Sequence, residues 1–421
     1  MKFFLKIIIF IVIIMFFYLY LFKEGGIFIF KDIKDDYNII NSKEEDQDII
    51  AEYFVKGMKT NDYINSLDKK TKILEKKDLK YTQISYDFET VLKYQQIEDI
   101  INQLNRSDAT KVEIIGKSVD KRKIYSLSLG FGDNIILIDG SIHAAEIANS
   151  LFILKFMIDL INKYENNDSE IINILNNVKI VVIPNINPDG YEVCLFGADS
   201  IKNHNLYLYK HQDNIIFKTY KANANGVDLN RNFPSQHGGL YYKVNNLSEA
   251  VSDNPTTGYF DYYPGKTLGS EPEVKALIYW FNKYLNKSFA YLSFHSAGRV
   301  VYSGKPNLSS LYNKSSLKLA EIINQVNDYK AYDHEYEDVG YGNDGTSTDY
   351  ASELVSGFKF SNSTGRLSAN KYIKAQVRES EVGIITIETL EEYTFDIDVI
   401  KSEYYNQNLE QAIMNIINLK K

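Results

Sequence analysis

The chain has 421 residues, of which 44% are hydrophobic and 24% charged, so collagen-like, coiled-coil and wholly disordered proteins are excluded. Its formal net charge is −8 and it lacks a basic block, which gives no support for nucleic-acid binding through phosphate neutralisation. The single cysteine, Cys194, lies in an apolar, strand-like run and excludes an intramolecular disulfide and every multi-cysteine metal site. Histidines and carboxylates are left as candidate metal ligands.

Residues 1–22 form an almost uninterrupted apolar segment with Lys2 and Lys6 near its start. Such a segment is long enough to cross the hydrocarbon core of a bilayer as a helix. It ends in bulky aromatic residues, whereas a signal-peptide cleavage site needs small residues. We therefore expect an uncleaved signal anchor, a single-pass helix that attaches the chain to the cell membrane and places the remainder outside the cytoplasm. Secretion after cleavage is the alternative.

Two further regions follow this segment. Residues 23–80 are densely charged, with apolar residues singly or in pairs, a pattern typical of a solvated stalk or linker. From residue 81 onward, apolar residues recur first at helical spacing and then in strand-like runs. We therefore expect one folded domain over residues 81–421.

Strand-like and helical segments alternate through this domain. The apolar runs NIILIDGSI, VKIVVIPNI, FAYLSFHSA and IITIETL are separated by segments with helical spacing. This alternation predicts an α/β fold with three layers, in which helices cover both faces of a mostly parallel mixed sheet. Functional residues of such sheets lie at the carboxyl ends of the strands.

Three residues at predicted strand ends have the side chains of a zinc site. His143 and Glu146 lie three positions apart directly after NIILIDGSI, and His295 lies at the end of the strand-like run FAYLSFHSA. Two histidines and one glutamate can hold a catalytic zinc and leave a position open for water. The same spacing at His334 and Glu337 follows no strand, and we interpret that copy as solvated surface.

Seven segments occur in an order that matches a known family. They are HAAE at 143–146, NPDGYE at 187–192, GVDLNRNFP at 226–234, SEPE at 270–273, FHS at 294–296, GYGNDGTSTDY at 340–350 and TIETL at 386–390. With them, residues 81–421 resemble the zinc metallocarboxypeptidases of the carboxypeptidase A type, a group that includes bacterial γ-D-glutamyl-diamino acid peptidases. The resemblance implies one zinc ion per chain and a zinc-activated water that hydrolyses a C-terminal peptide bond of the substrate.

The resemblance also implies roles for individual side chains. It makes His143, Glu146 and His295 the zinc ligands and Glu388 the general base. The other implied roles are orientation of His143 by Asp228, binding of the substrate's terminal carboxylate by Asn230 and Arg231, closure over the substrate by Tyr341, and selection of the substrate side chain by Thr348.

Two departures from the family pattern leave alternatives open. Digestive members have a further arginine before GVDLNRNF that polarises the scissile carbonyl, whereas this chain has FKTYKANANG there. Lys218, Lys221 and Arg299 are the candidate replacements, and zinc acting alone is the remaining possibility. Thr348 is small and neutral, so it indicates no preference for a basic or an aromatic substrate side chain.

The partner expected from the sequence is therefore a peptide or, alternatively, a peptidoglycan stem peptide cut at a γ-D-glutamyl-diamino acid bond. A different class of function, an inactive peptide-binding module, is disfavoured because His143, Glu146, His295 and Glu388 are all present. The GKS segment at 116–118 lacks the earlier glycine of a phosphate-binding loop, so no nucleotide partner is expected.

Overall fold

The computed structural model describes residues 71–76, 79–202, 217–234, 265, 269–303, 310–332, 346–356 and 381–421. The predicted signal anchor at residues 1–22, nearly all of the predicted stalk, Tyr341 and the second H-x-x-E copy lie outside these residues. No helix within the described ranges is long and apolar enough to cross a membrane. The anchor, the stalk and the domain boundaries therefore stay predictions.

A mixed sheet of nine strands organises the described residues, in the order β1-β2-β3-β5-β4-β6-β9-β7-β8. The strands are β1 (Lys72–Ile73), β2 (Thr110–Lys117), β3 (Lys123–Leu129), β4 (Asn134–Gly140), β5 (Val178–Ile183), β6 (Ser288–Ser296), β7 (Val300–Tyr302), β8 (Lys330–Tyr332) and β9 (Gly383–Thr389). The central strands β5, β4, β6 and β9 pair in parallel. Their carboxyl ends therefore lie at one edge of the sheet.

The flanks of the sheet correct the expectation that it is mostly parallel. Four of the eight neighbouring pairs are antiparallel, namely β1 with β2, β2 with β3, β3 with β5 and β7 with β9. Connection length is the physical reason, because a few residues can reverse the chain whereas a parallel crossover needs a dozen or more. Only short connections separate β2 from β3 and β6 from β7, so β3 and β7 run opposite to the strands before them.

Helices cover both faces of the sheet, as the alternation of segments predicts. They are α1 (Tyr94–Leu104), α2 (Ile147–Glu165), α3 (Ser169–Asn177), α4 (Pro188–Phe196), α5 (Pro272–Tyr284), α6 (Ser310–Asn324), α7 (Ser347–Ser356), α8 (Ile397–Asn406) and α9 (Leu409–Ile417). Along β4, Ile136 and Ile138 pack into a core with α1, α2, α3, α6, α8 and α9, whereas Ile135 and Leu137 pack with α5 and α7. Because successive strand residues face opposite sides, the three-layer arrangement is confirmed.

The apolar run around Cys194 is a helix and not the strand that its composition indicates. It belongs to α4, where the Asn187 side chain accepts a hydrogen bond from the Gly190 amide (3.0 Å) and Pro188 occupies the first turn. An asparagine cap followed by proline is a strong helix start and outweighs the apolar run. Cys194 is buried, and burial raises the pKa of its thiol, so it behaves as core filler.

Candidate metal centre

A short turn between β4 and α2 presents two of the predicted ligands. His143 and Glu146 lie after Gly140, the last residue of β4, and Glu146 directly precedes α2. The Ser141 hydroxyl donates a hydrogen bond to the carbonyl oxygen of Glu146 (2.8 Å), and the Ser150 hydroxyl donates to Ser141 Oγ (2.8 Å). These bonds close the turn, so a histidine and a carboxylate three positions apart are held side by side.

Three side chains converge at the carboxyl edge of the sheet. His143 Nδ1 lies 2.7 Å from Glu146 Oε1, and His295 Nδ1 lies 3.2 Å from Glu146 Oε2. One possible ligand atom from each residue lies within 4.8 Å of the other two. His143 is 6% exposed, and Glu146 and His295 are each 2% exposed. The structure therefore brings together the three ligands that the sequence predicts.

Their hydrogen bonding fits a metal site better than a closed polar cluster. Within the described ranges, the buried atoms Glu146 Oε2 and His295 Nε2 have no hydrogen-bond partner. The 3.2 Å approach of His295 Nδ1 to Glu146 lacks the alignment of a hydrogen bond. A buried carboxylate oxygen without a donor is costly, and a cation would satisfy it. Two imidazoles and one carboxylate match the protein ligands of a catalytic zinc, so these residues fit zinc.

Asp228 lies on the other side of the His143 ring. Its Oδ1 is 3.3 Å from His143 Nε2, a contact that is electrostatic because its alignment is not that of a regular hydrogen bond. The Asn230 amide donates to the same oxygen (3.0 Å) and holds the carboxylate in place. A carboxylate behind a metal-binding imidazole sets the tautomer and orientation of the ring. The contact supports the role expected of Asp228.

The charges in this cluster depend strongly on one another. Burial alone would lower the pKa of His143, but Glu146 and Asp228 raise it to about 9. Burial also opposes the charge of His295, whose pKa Glu146 nevertheless raises. For Glu146 burial acts to raise the pKa, but the two histidines lower it. The carboxylate is therefore ionised at neutral pH, and a divalent cation would displace protons from the histidines.

Glu388 lies one strand away from a ligand. It is the register partner of His295 in the parallel pair of β6 and β9, so both side chains lie on the same face of the sheet. Glu388 is half-buried, and its charge contributes to the raised pKa of His295. The Thr389 hydroxyl lies 3.0 Å from the carbonyl oxygen of His295 and 2.9 Å from Asn149 Oδ1, which fastens both strand ends to α2. The register thus places the predicted base on the strand next to a predicted zinc ligand.

The residues expected to bind substrate lie directly after Asp228. Asn230 and Arg231 belong to a single turn of 3₁₀ helix and are 7% and 5% exposed. Arg231 Nη1 donates to the carbonyl oxygen of Asn230 (2.8 Å), and Asn230 Oδ1 accepts from the Ser347 amide at the start of α7 (2.9 Å). Thr348 follows in the same helix and is 6% exposed. The structure thus joins the predicted carboxylate-binding turn to the predicted specificity residue.

The three candidate replacements for the missing arginine have different surroundings. Arg299 Nη2 lies 2.7 Å from Glu403 Oε2 and its Nη1 lies 2.8 Å from Glu391 Oε1, so its guanidinium is committed to two carboxylates. The Lys218 ammonium lies 5.8 Å from the centre of the Phe395 ring, and the Lys221 ammonium lies 5.7 Å from the centre of the Tyr393 ring.

Sequence reasoning missed two polar residues that build the site. Tyr393 lies next to Lys221, and its local sequence EEYTF carries no signal for this contact. The Asn187 amide donates to the carbonyl oxygens of Ile142 (3.2 Å) and Ala222 (3.0 Å), which joins the metal-binding turn to the loop that follows Lys221. Asn187 belongs to the NPDGYE segment, so the order of motifs marked the residue but not its role.

A mixed sheet covered by helices, with a buried His–Glu–His group at the carboxyl ends of its parallel strands, defines the class of metalloenzymes with a His₂Glu zinc site. A sequence profile of the zinc carboxypeptidases matches residues 97–379, and the chain belongs to this family. The matched region contains all three zinc ligands, whereas Glu388 follows it and is placed by the register of β9.

Relatives of known function have limited similarity to the chain. A γ-D-glutamyl-L-diamino acid endopeptidase 1 of Lysinibacillus sphaericus is 28% identical over 54% of this chain and 55% of that relative. The carboxypeptidase N catalytic chain of Mus musculus is 27% identical over 53% of this chain and 46% of that relative. The chain thus spans about half the length of these two relatives.

Solved structures show the same fold. Bovine thrombin-activatable fibrinolysis inhibitor, in a complex with tick carboxypeptidase inhibitor, aligns with a TM-score of 0.53 at 21% identity, over 79% of this chain and 99% of that chain. Carboxypeptidase A from Helicoverpa armigera aligns with a TM-score of 0.54 at 17% identity, over 85% of this chain and 79% of that chain. At these identities the likeness concerns the fold alone.

Proposed function

We propose that this zinc carboxypeptidase family member is an exopeptidase that removes C-terminal residues from peptides. The observation that carries the proposal is the position of Arg231, buried one turn after the carboxylate that contacts the ligand His143. An arginine fork is suited to bind a carboxylate through two charge-assisted hydrogen bonds. An anchor for a terminal carboxylate so near the metal ligands selects the last peptide bond of a chain.

In the proposed reaction each residue of the site has a separate role. Zinc, when bound by His143, Glu146 and His295, would activate a water molecule and polarise the scissile carbonyl. Glu388 accepts a proton from the attacking water and passes it to the leaving amine, as a half-buried carboxylate beside a metal site can do. Arg231 and Asn230 hold the terminal carboxylate of the substrate, and the amide of Ser347 fixes the orientation of Asn230. Thr348, the residue after Ser347, would contact the side chain of the leaving residue.

A second candidate function is hydrolysis of peptidoglycan stem peptides at γ-D-glutamyl-diamino acid bonds. The similarity to the Lysinibacillus endopeptidase favours it, at an identity close to that of the carboxypeptidase N chain. The proposed single-pass anchor at residues 1–22 and the charged stalk at 23–80 would also place the enzyme outside the cytoplasm, beside the cell wall. Secretion after cleavage of the anchor would give access to the same substrates.

Mass spectrometry of reaction products separates the two substrates. The full-length chain, purified in detergent and supplied with zinc, is incubated with a library of peptides of varied C-terminal residue and, separately, with purified muropeptides. Loss of single C-terminal residues from the library supports the exopeptidase, whereas cleavage confined to muropeptides supports the second candidate. A parallel reaction with a chelator must abolish either activity. If the zinc-loaded chain is silent on both, the catalytic proposal is wrong and a peptide-binding role replaces it.

A further inference from the structure

A buried carboxylate joins the two strands that carry the histidine ligands. Asp139 lies on β4, four residues before His143. Its register partner on β6 is Ser293, two residues before His295. The Ser293 hydroxyl donates a hydrogen bond to Asp139 Oδ1 (2.9 Å), and the Tyr291 hydroxyl, also on β6, donates to Asp139 Oδ2 (2.7 Å). These three side chains are fully buried and each carboxylate oxygen has a donor, so the phenol is held in a fixed orientation.

The same phenol contacts the first residue of a helix from a distant part of the chain. Tyr291 Oη lies 3.3 Å from Ser347 Oγ, and Ser347 is fully buried at the start of α7. A phenol has one proton, and the carboxylate of Asp139 is the stronger acceptor for it. The Ser347 hydroxyl is therefore the donor in the second contact, which joins the first turn of α7 to β6.

Ser347 in turn orients the side chain of Asn230. Its backbone amide donates a hydrogen bond to Asn230 Oδ1 (2.9 Å), and a donor at that position identifies the atom as the oxygen. Because the oxygen and the NH₂ group of an asparagine side chain share one plane, this bond also sets the direction of the NH₂ donor. The buried contacts thus run without a break from Asp139 to the residue that, in the proposed function, holds the terminal carboxylate.

Apolar packing alone would place the first turn of α7 less precisely. Ala351 and Val355 pack later turns of this helix into the core that α5 also joins. Such burial is favourable but non-directional. A hydrogen bond at Ser347 is directional, and it acts at the residue that contacts Asn230. An enzyme that selects the last peptide bond needs a fixed spacing between its metal and its carboxylate anchor, and the contact between Tyr291 and Ser347 supports that spacing.

We propose that Tyr291 is a positioning residue for substrate binding. Its hydroxyl, held by Asp139, seats Ser347, and Ser347 orients the NH₂ group of Asn230 for the terminal carboxylate of the substrate. The positioning role rests on the proposed exopeptidase function. Tyr291 contacts neither substrate nor metal in this role, so it acts on the affinity for the terminal carboxylate and leaves the chemical step unchanged.

Two deletions of single hydroxyls in the full-length, zinc-loaded enzyme test this role. Ser347→Ala keeps both donors of Asp139 and the backbone amide that contacts Asn230. It should raise KM for a cleavable peptide by roughly 3–10-fold with kcat within about twofold, because only a contact that serves binding is lost. Tyr291→Phe removes the other hydroxyl of the same contact and should raise KM at least as much. Steady-state kinetics measures both constants.

The double variant Tyr291→Phe/Ser347→Ala shows whether the two hydroxyls act through their mutual contact. Once either hydroxyl is removed, the other has lost its partner in that contact. The KM of the double variant should therefore be close to that of Tyr291→Phe. Losses that multiply would overturn the positioning role, because the two hydroxyls would then act independently.

Two matched variants remove buried hydroxyls that the positioning role does not use. Tyr191→Phe deletes a fully buried phenol that donates to the carbonyl oxygen of Leu92 (2.7 Å). Ser352→Ala deletes a hydroxyl of α7 itself, which donates to the carbonyl oxygen of Thr348 one turn earlier. Both should lower the melting temperature about as much as the test variants and keep the wild-type KM. An equal rise of KM in these controls would show a general loosening of the fold and overturn the positioning role.

Calorimetric titration supplies a readout that does not depend on turnover. A cleaved product with a free terminal carboxylate should bind zinc-loaded Ser347→Ala roughly 3–10-fold more weakly than the wild type. Acetohydroxamate, a small zinc-binding ligand without a terminal carboxylate, should bind both proteins with equal affinity. Equal losses for the two ligands would place the effect at the metal centre and overturn the positioning role.

The outcomes for Tyr291 and for the proposed function are distinguishable. If the wild type cleaves library peptides while Tyr291→Phe and Ser347→Ala keep its KM and its affinity for the product, the positioning role alone is overturned. A zinc-loaded wild type that neither cleaves library peptides nor binds a terminal carboxylate overturns the proposed function, and the positioning role falls with it. A KM raised in both test variants and in neither control supports the positioning role.

Discussion

Two buried clusters of carboxylates in this protein have similar composition and different hydrogen bonding. One is the metal centre of His143, Glu146 and His295. The other, which we call the scaffold cluster, comprises Arg122, Asp189, Glu271 and Glu273, with the three acids at most 5% exposed. Burial and acidity alone therefore do not tell a metal site from a structural one.

The two clusters differ in whether their carboxylate oxygens have hydrogen-bond donors. In the scaffold cluster, Asp189 accepts from the Ser118 hydroxyl (2.8 Å), the Arg122 guanidinium (2.7 Å) and the Asp120 amide (2.8 Å). Both oxygens of Glu273 accept hydrogen bonds, one from a backbone amide and one from an asparagine side chain. Both oxygens of Glu271 accept hydrogen bonds from asparagine and serine side chains.

In the metal centre, by contrast, Glu146 Oε2 has no donor among the described residues. Saturation by hydrogen bonds marks the scaffold cluster as a device that fixes the loops around it. The buried Glu146 oxygen without a donor lies beside two imidazoles, and a cation bound by all three side chains would satisfy it.

The largest effect is expected at Glu388, a carboxylate near the metal centre that is not a ligand. Glu388→Gln removes the proposed base and keeps the size of the side chain, so kcat should fall by roughly 10²–10⁴-fold. Zinc binding and substrate affinity should persist, because His143, Glu146 and His295 are unchanged. Steady-state kinetics with parallel metal analysis measures both quantities.

A control for this variant lies close in the chain. Glu391 also follows β9, but its side chain is 75% exposed and paired with Arg299. Glu391→Gln should therefore keep turnover within about twofold, as surface changes usually do. Equal activities of Glu388→Gln, Glu391→Gln and the wild type would show that Glu388 is not the base.

An intermediate effect is expected from matched changes in the two clusters. Asp228→Asn keeps an oxygen for the Asn230 amide but removes the charge behind His143, so zinc affinity should fall by roughly 10–100-fold. Asp189→Asn breaks the buried pair with Arg122 and should lower the free energy of unfolding by a few kcal/mol, on the order expected for such pairs. Competition with a chromophoric chelator and urea unfolding measure the two quantities.

Asp228→Asn should not lower the stability as Asp189→Asn does, and Asp189→Asn should not weaken zinc binding as Asp228→Asn does. If Asp189→Asn weakened zinc binding as much as Asp228→Asn did, the distinction between a metal centre and a scaffold cluster would fail. Unchanged zinc affinity in Asp228→Asn would remove Asp228 from its proposed role while leaving the ligands in place.

The metal centre could be predicted from the sequence because its ligands lie at strand ends. His143 follows β4 and His295 belongs to β6, and the carboxyl ends of neighbouring parallel strands meet at one edge. The resemblance to a known family then added Glu388, whose register partner is His295. Apolar runs also predicted the layers of helices on both faces, since buried strands leave a periodic pattern that local sequence shows.

Contacts between distant segments could not be predicted in the same way. Arg299 lies four positions after His295 and was a candidate for the active site, but Glu403 of α8 binds its guanidinium. Lys218 and Lys221 lie three positions apart in one segment, and only the fold places one beside Phe395 and the other beside Tyr393. The antiparallel flanks depend on short connections that the alternation of helices and strands does not reveal.

The smallest effect on turnover, and a distinct effect on stability, is expected from Glu273→Gln in the scaffold cluster. Burial, with the nearby charges of Asp189 and Glu271, raises the pKa of Glu273 to about 8. In the unfolded chain its pKa is close to 4.5. Between these values the folded state therefore binds a proton that the unfolded state has lost, and this term lowers the stability of the wild type as pH rises.

The glutamine variant has no ionisable group at this position, so it does not lose stability through this titration. From pH 5 to pH 8 the free energy of unfolding of the wild type should therefore fall relative to that of the variant. The expected change is a few kcal/mol, because each unit of pKa difference corresponds to about 1.4 kcal/mol. Urea unfolding of both zinc-loaded proteins at several pH values measures it, and effects of pH on the zinc ligands cancel in the difference. A difference that stays constant, or one that favours the wild type as pH rises, would show that Glu273 is ionised in the fold. The scaffold cluster would then hold its charge as firmly as the metal centre does, and hydrogen-bond saturation rather than protonation would account for its stability.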